Sequence, residues 1–375
     1  MSEVIYLAKK RDRQHEKTRV AINKKTDEYN AVISSLQQNI DDISSAFEVY
    51  VQQTNDTIAS LETKIEAINK NEYSKEYLTF EALEHTDITL SHRNITNKSI
   101  EYSFDKSTWT TFTPASGAET IASLNEGDKM YVRATWTNNI EPQSFGSTGR
   151  YMVSGNIMSL FYGDSFIGKN TFASDTTCML LFYKSTLLTD ASNLIMPATT
   201  ITTRCYYEMF EGCTSLTTAP ALPATTLAND CYTNMFAGCT SLTDAPALPA
   251  TTLEDFCYDR MFSGCTSLTD APALPATTLA VSCYFSMFSD CTSLTDAPAL
   301  PATTLANDCY ANMFVGCTSL NYIKCLATDI SASNCTVNWV NGVASGGVFA
   351  KDATMTNWTT GNDGIPAGWV IENVV

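Results

Sequence analysis

Apolar and polar residues follow three successive periods along this chain. From Ile22 to Ile68 the apolar positions advance in steps of three and four, with Ile22, Tyr29, Leu36 and Ile43 in one stripe and Thr26, Ile33, Ile40 and Phe47 in the other. A four-residue step from Phe47 to Val51 interrupts them, and the pattern resumes through Val51, Thr54, Ile58, Leu61, Ile65 and Ile68. Such spacing predicts a helix with one apolar seam, and two sustained stripes predict a coiled coil with one stutter. No Gly or Pro stands between Val20 and Tyr77 to break it. Isoleucine in one stripe with Leu or Ile in the other favours three strands over two. Most flanking positions are uncharged (Asn30, Gln37, Asn39, Ser44), so nothing selects a foreign partner helix. The expectation for residues 21–73 is a parallel homotrimeric stalk held by Ile22, Ile33, Leu36, Ile40, Ile43, Phe47, Ile58, Leu61, Ile65 and Ile68. About fifty residues at ~1.5 Å each would make a rod of about 75 Å.

After Asn71 the period drops to two. Ile100, Tyr102 and Phe104 alternate with polar residues, as do Met130, Val132 and Ala134, then Tyr151 and Val153. Turn-forming runs separate them: Asp105-Lys106-Ser107, Pro114-Ala115-Ser116-Gly117 and Asn125-Glu126-Gly127-Asp128. Short alternating strands between such turns predict a small β-sandwich over residues 76–165.

The third period is 26 residues. Cys205, Cys231, Cys257, Cys283 and Cys309 keep that step, and so do Cys213, Cys239, Cys265, Cys291 and Cys317, and Pro197, Pro223, Pro249, Pro275 and Pro301. Each unit reads C-Y-x-x-M-F-x-[GD]-C-T-S-L, followed in most copies by T-x-A-P-A-L-P-A-T-T-L. Cys205, Met209 and Cys213 are four apart, with Tyr206 and Phe210 beside them, which predicts one inward face of a short helix or 3₁₀ segment. Leu216, Ala219, Leu222 and Leu227 supply the facing wall, and two prolines per unit limit the strand. No unit buries its apolar side alone, so the stack is the core: an α/β leucine-rich solenoid over 178–336. Beyond Cys335, Trp339, Trp358 and Trp369 with Gly342, Gly346 and Gly347 predict a β cap over 337–375.

The copies also align with one another. Residues 239–253, 265–279 and 291–305 are one identical string. One pair nevertheless changes freely: Tyr207-Glu208, Thr233-Asn234, Asp259-Arg260, Phe285-Ser286, Ala311-Asn312. So does the triplet before each cysteine: Ala228-Asn229-Asp230, Glu254-Asp255-Phe256, Ala280-Val281-Ser282. A helical reading turns the varied pair away from the packed face. Free drift of solvated positions explains part of this, but Phe256 and Phe285 place aromatic rings where water is expected. Tyr207, Glu208, Asp255, Phe256, Asp259, Arg260 and Phe285 are therefore the candidate contact residues.

Composition narrows the chemistry. The 375 residues carry a net charge of −17, which opposes binding to nucleic acid or anionic lipid. No run approaches a membrane span. No apolar stretch of signal-peptide length follows Met1, so synthesis in a cytoplasm is expected. Against this acidic background residues 1–20 are basic, and Lys9, Lys10, Arg11 and Arg13 are the candidate anchor to an acidic scaffold. With only three histidines and no G-x-S-x-G, P-loop, H-E-x-x-H or zinc motif, no enzyme and no cofactor are expected. Glu208 and Glu211 read as a solvated pair, and Asp244, Asp270 and Asp296 as a solvated acidic column without an Asx-rich calcium loop. Of the thirteen cysteines, those eight residues apart within a unit would sit ~12 Å apart along a helix, too far for zinc or a disulfide. They read as small buried hydrophobes.

The M-F-x-G-C-T-S-L core resembles the BspA-type leucine-rich repeats, whose consensus is A-F-x-x-C-x-x-L-x-x-I-x-L-P, with Met in place of the family's Ala. The resemblance covers about residues 178–336. More widely, the arrangement resembles virion fibre proteins of Bacteroides-infecting, crAss-like bacteriophages, through Ser154-Gly155-Asn156-Ile157-Met158-Ser159-Leu160 and Gly364-Ile365-Pro366-Ala367-Gly368-Trp369. That resemblance implies a virion structural fibre, attached to capsid or tail through its N-terminus and contacting host-surface polysaccharide or protein. A bacterial surface adhesin with the same repeats is the alternative.

Overall fold

The computed structural model of the protein describes residues 16–17, 19–20, 24–26, 29–30, 32–41, 43–45, 47–48, 50–55, 60, 73–92, 99–115, 117–136 and 143–374. The chain divides into two units, Met1–Ile68 and Asn69–Val375.

The first unit corrects the stalk expectation. The protein is mostly β, and among the described residues there is no long coiled-coil helix. The longest unbroken helical stretch described is 32–41. Ile33, Leu36, Ile40, Ile43 and Phe47 are 55–69% exposed, so among the described residues nothing covers the stripe. Spacing shows which face a helix would bury, but it supplies no surface to bury it against. Without burial a helix rests on propensity, and this segment is rich in Asn, Asp, Ser, Thr and Ile, which are weak helix formers. With the stalk goes the basis for expecting a trimer. Ile22, Ile58, Leu61, Ile65 and Ile68, and the anchor residues Lys9, Lys10, Arg11 and Arg13, lie outside the described residues.

In the second unit the alternating segments become strands β1 (Leu78–Ala82), β2 (Thr86–His92), β3 (Ile100–Ser103), β4 (Thr110–Phe112), β5 (Gly117–Leu124), β6 (Lys129–Arg133), β7 (Gln143–Ser147) and β8 (Tyr151–Asn156). β9 (Leu188–Ile195) joins them to give one sheet in the order β4-β3-β6-β1-β8-β9, while β5-β2-β7 form a second. Phe80 of the first sheet meets Phe145 of the second at 4.9 Å between ring centres. Pairing is antiparallel throughout except β8 with β9, which run parallel. That parallel pair turns the domain into a solenoid, because β9 continues coil by coil through parallel bridges from Asp190 to Thr218, Asp244 and Asp270.

The joint explains the Ser154–Leu160 segment. Gly155 has φ +78°, and a Cβ there would lie 1.9 Å from the Tyr77 carbonyl oxygen, so no other residue fits. Asn156 donates to the Ser74 carbonyl and accepts from the Met158 N–H. The Ser159 hydroxyl accepts from Leu78 N–H and donates to the Val132 carbonyl, pinning a one-turn helix α1 (Ser159–Tyr162) across the sheet. The other characteristic segment closes the far end. β10 (Tyr322–Cys325), β11 (Val348–Asp352) and β12 (Val370–Val374) form a parallel sheet. The Trp369 indole donates to Ala344, and the Trp339 indole to Gly364.

Between these joints the repeats contain no helix, which corrects the α/β expectation. The C-Y-x-x-M-F segment is a run of four-residue turns. Tyr207, Met209 and Glu211 N–H groups donate three residues back, to Arg204, Tyr206 and Glu208. Tyr206, Glu208 and Phe210 N–H groups donate instead to the next coil, to Cys231, Thr233 and Met235, each at 2.9 Å. Local and inter-coil bonds thus alternate, and every fourth residue has a left-handed backbone: Arg204, Glu208 and Gly212; Asp230, Asn234 and Gly238; Phe256, Arg260 and Gly264. An α-helix cannot contain such residues. The prolines of the extended side remove donors, leaving isolated parallel bridges such as Thr200 to Thr226 and Thr252 to Thr278 where a leucine-rich repeat would have strands.

Coil-by-coil translation makes side chains stack on their own copies. Phe182, Phe210, Phe236, Phe262, Phe288 and Phe314 form one column with ring centres 5.3–5.8 Å apart. Tyr206, Tyr232, Tyr258, Tyr284 and Tyr310 form another, and buried Trp339 ends both. Phe182 also reaches Phe80 and Phe145, so one continuous core runs from β1 to the cap. All thirteen cysteines are free and buried. Cys213, Cys239, Cys265, Cys291 and Cys317 donate their S–H to the carbonyls of Phe182, Phe210, Phe236, Phe262 and Phe288. Among the described residues no helix is long and apolar enough to cross a membrane.

Candidate functional site

The left-handed positions explain where variation concentrates. A turn that needs φ > 0 is easiest for Gly, Asn and Asp. Asp308, Asn312 and Gly316, and Asn334, Asn338 and Gly342, obey that chemistry. Phe256 (φ 56°) and Arg260 (φ 50°) do not: bulky side chains occupy backbone conformations that cost them of the order of 1 kcal/mol.

These residues share one patch with the neighbouring coil. Phe256 is 40% exposed. Arg260 donates from Nη1 to Asp259 Oδ2 at 3.1 Å and lies over the Phe285 ring, 4.9 Å from its centre. The Arg260 N–H donates to the Phe285 carbonyl, which fixes the two coils in register. Asp255 accepts from the Val281 N–H at 3.0 Å, tying down the edge of the patch. Asp259 is only 7% exposed, and burial raises its carboxyl to about 6, with Arg260 lowering it and Asp230 raising it. Its Oδ1 is buried without a hydrogen-bond partner.

The structure therefore brings Asp255, Phe256, Asp259, Arg260 and Phe285 together. Tyr207 and Glu208 lie on an earlier coil in a second cluster, with Arg204 within 5.9 Å of the Tyr207 ring and bonded to Asp230 at 3.2 Å. Burial, with Glu208 beside it, lifts the Tyr207 hydroxyl to about 12. The varied pair does not point uniformly outward. Thr233, Asp259 and Ala311 are buried, and their carbonyls accept from the preceding coil, from the N–H groups of Glu208, Asn234 and Ser286.

Sequence reasoning named Asp230 and Thr233 only as varied positions and missed Arg204. Asp230 belongs to the four-residue grid of Gly, Asn and Asp that marks the turns, whereas Arg204 departs from it and Thr233 lies beside it. It also missed a clasp on the β domain, where Arg133 lies 3.9 Å over Trp109 and pairs with Glu101 and Asp164, while Tyr77 donates to Asp164. The clasp's charges satisfy one another, so it ties strands together. Asp244, Asp270 and Asp296 are exposed and accept from Thr243, Thr269 and Thr295. Among the described residues no three His, Cys, Asp or Glu side chains converge on a metal-sized site. No family model, curated protein or solved structure matches this chain.

Proposed function

We propose that this protein is a non-catalytic adhesive fibre subunit of a bacteriophage virion, whose repeats contact glycans on the host surface. The observation that carries the adhesive part is the patch at Phe256, Asp259, Arg260 and Phe285. There the left-handed positions hold Phe and Arg instead of Gly, Asn or Asp, as other coils hold Arg204, Glu208, Ser282 and Ser286, and the patch places aromatic rings, a guanidinium and a carboxylate side by side. Aromatic faces stack on sugar rings while charged and polar groups take their hydroxyls. Single contacts of this kind are weak, and many copies on one particle raise their effective concentration. The virion part is supported by the resemblance carried by Ser154–Leu160 and Gly364–Trp369, the two segments that form the joints of the fold. In this reading the basic segment with Lys9, Lys10, Arg11 and Arg13 docks onto other virion proteins.

The test is binding of the labelled full chain to host cells with and without their capsule. Capsule-dependent binding that purified capsular polysaccharide competes away is the expected result. Equal binding to both cell types, or none, would leave the repeats as a spacer.

A further inference from the structure

Asp259 is a hydrogen-bond acceptor with half of its capacity idle. Oδ2 accepts from Arg260, while Oδ1 is buried without a partner. Each neighbouring element leaves it so. The preceding coil brings Thr233, whose hydroxyl donates to the Phe256 carbonyl at 2.8 Å, and Asp230, a like charge that is bonded to Arg204. The following coil brings Phe285 and Ser286, neither of which is charged. Its own coil brings Arg260, the one cation acting on it among the described residues. A buried carboxylate with one lone partner is costly to keep ionised, and the idle oxygen is the atom on which a proton would settle.

We propose that Asp259 is a proton-operated latch on Arg260: protonation of Oδ1 releases the ion pair, and the guanidinium, held over the Phe285 ring, then binds the carboxylate of an acidic, uronate-type sugar. The proton comes from solvent, and Arg260 keeps its charge throughout. This rests on the reading of the patch as a glycan contact. The guanidinium fork matches a carboxylate with two parallel hydrogen bonds, and the exposed Phe256 ring offers a face for the sugar. While Asp259 is ionised it occupies Arg260 and repels a second carboxylate. Burial moves Asp259 to about 6, whereas an exposed uronate stays ionised down to about pH 4. Between those limits the latch is open and the ligand still charged. Acidification therefore strengthens binding, the reverse of what a simple ion pair to an exposed aspartate would do.

The experiment measures binding of the full chain to immobilised polygalacturonate and to neutral dextran, near pH 5 and near pH 7.5. One additional charge-assisted pair, from Arg260 to the uronate, should tighten polygalacturonate binding at least about tenfold at the lower pH, with dextran unmoved. Asp259→Asn, and Asp259→Thr, which copies Thr233 of the preceding coil, should bind at the tight level at both pH values; Arg260→Ala should bind weakly at both. Equal wild-type binding at the two pH values, no polygalacturonate binding at pH 5, or pH dependence that persists in Asp259→Thr would overturn the latch. Capsule-dependent cell binding that survives such a result would show that the latch alone has failed. Loss of cell binding would remove the adhesive reading itself.

Discussion

The β domain and the solenoid bury the same kinds of side chain by different rules. In the β domain each core residue meets a different neighbour: Phe80 packs on Phe145, Tyr151 and Phe182. In the solenoid each core residue meets copies of itself, as Phe262 meets Phe236 and Phe288. The first arrangement needs every position to be specified separately. The second specifies a coil once and translates it, so selection can alter surface positions while the stack stands. Stability in such an array is a sum of coil terms and nearest-neighbour terms, and a perturbation is felt mainly one coil either way.

Cutting a column has the largest expected effect. Phe262→Ala removes a fully buried ring from the stack and should cost about 3–5 kcal/mol in chemical denaturation. Phe145→Ala in the β domain should cost a similar amount, but hydrogen exchange should separate the two. Loss of protection should centre on the coils of Cys231, Cys257 and Cys283 for Phe262→Ala, and should spread across both sheets for Phe145→Ala. Identical exchange maps would mean that the solenoid is not quasi-one-dimensional.

A smaller effect tests the turn ladder. Gly264 has φ +74°, and a Cβ there would sit 3.6 Å from Gly238, so space is adequate and the backbone is the obstacle. Gly264→Ala should cost about 1–2 kcal/mol. A helical repeat would be stabilised by that substitution, so the sign alone separates the two local structures.

An effect no larger than this, and dependent on pH, comes from the patch. Asp259 is raised to about 6 from an ordinary value of 3.8, so between those pH values the native state binds a proton that the unfolded state does not. Its contribution therefore improves as pH falls through 6 and levels off near 4. Asp259→Thr should stabilise the chain by about 1–2 kcal/mol at pH 7.5, and that advantage should vanish towards pH 4. A pH-independent difference would show that burial does not penalise this carboxylate.

Much of this is legible in the residues, and the exceptions have physical causes. Alternation at Met130 and Val132 and at Tyr151 and Val153 marks strands that bury those side chains. It misleads at Phe104, which lies past the end of β3 and is exposed. The 26-residue grid marks the buried Cys, Tyr, Met and Phe columns but not their local structure. A four-residue turn ladder and the i, i+4 rows of a helix put the same residues on one face, so Cys205, Met209 and Cys213 fit both. The deciding signal is the residue type at Asp230, Asn234 and Gly238, which tolerate a left-handed backbone. In the N-terminal unit the apolar spacing describes a seam, yet among the described residues nothing in the chain covers it. At the candidate site Phe256, Arg260 and Phe285 stand out as misfits in a solvated row. The idle oxygen of Asp259 becomes visible only once neighbouring coils are in place.

In the proposed function the patch of Phe256, Asp259, Arg260 and Phe285 carries recognition on a scaffold indifferent to it. Replacing Phe256, Asp259 and Arg260 in the full chain with the Asp, Thr and Asn that the preceding coil holds at those places tests this directly. The variant carries at these three places residues that the fold already accepts in the preceding coil, so its unfolding midpoint should equal or exceed that of the wild type. Its binding to encapsulated host cells should fall at least about tenfold, the loss expected from removing one ring contact and one charged contact. A folded variant that binds encapsulated cells as tightly as the wild type would contradict the claim.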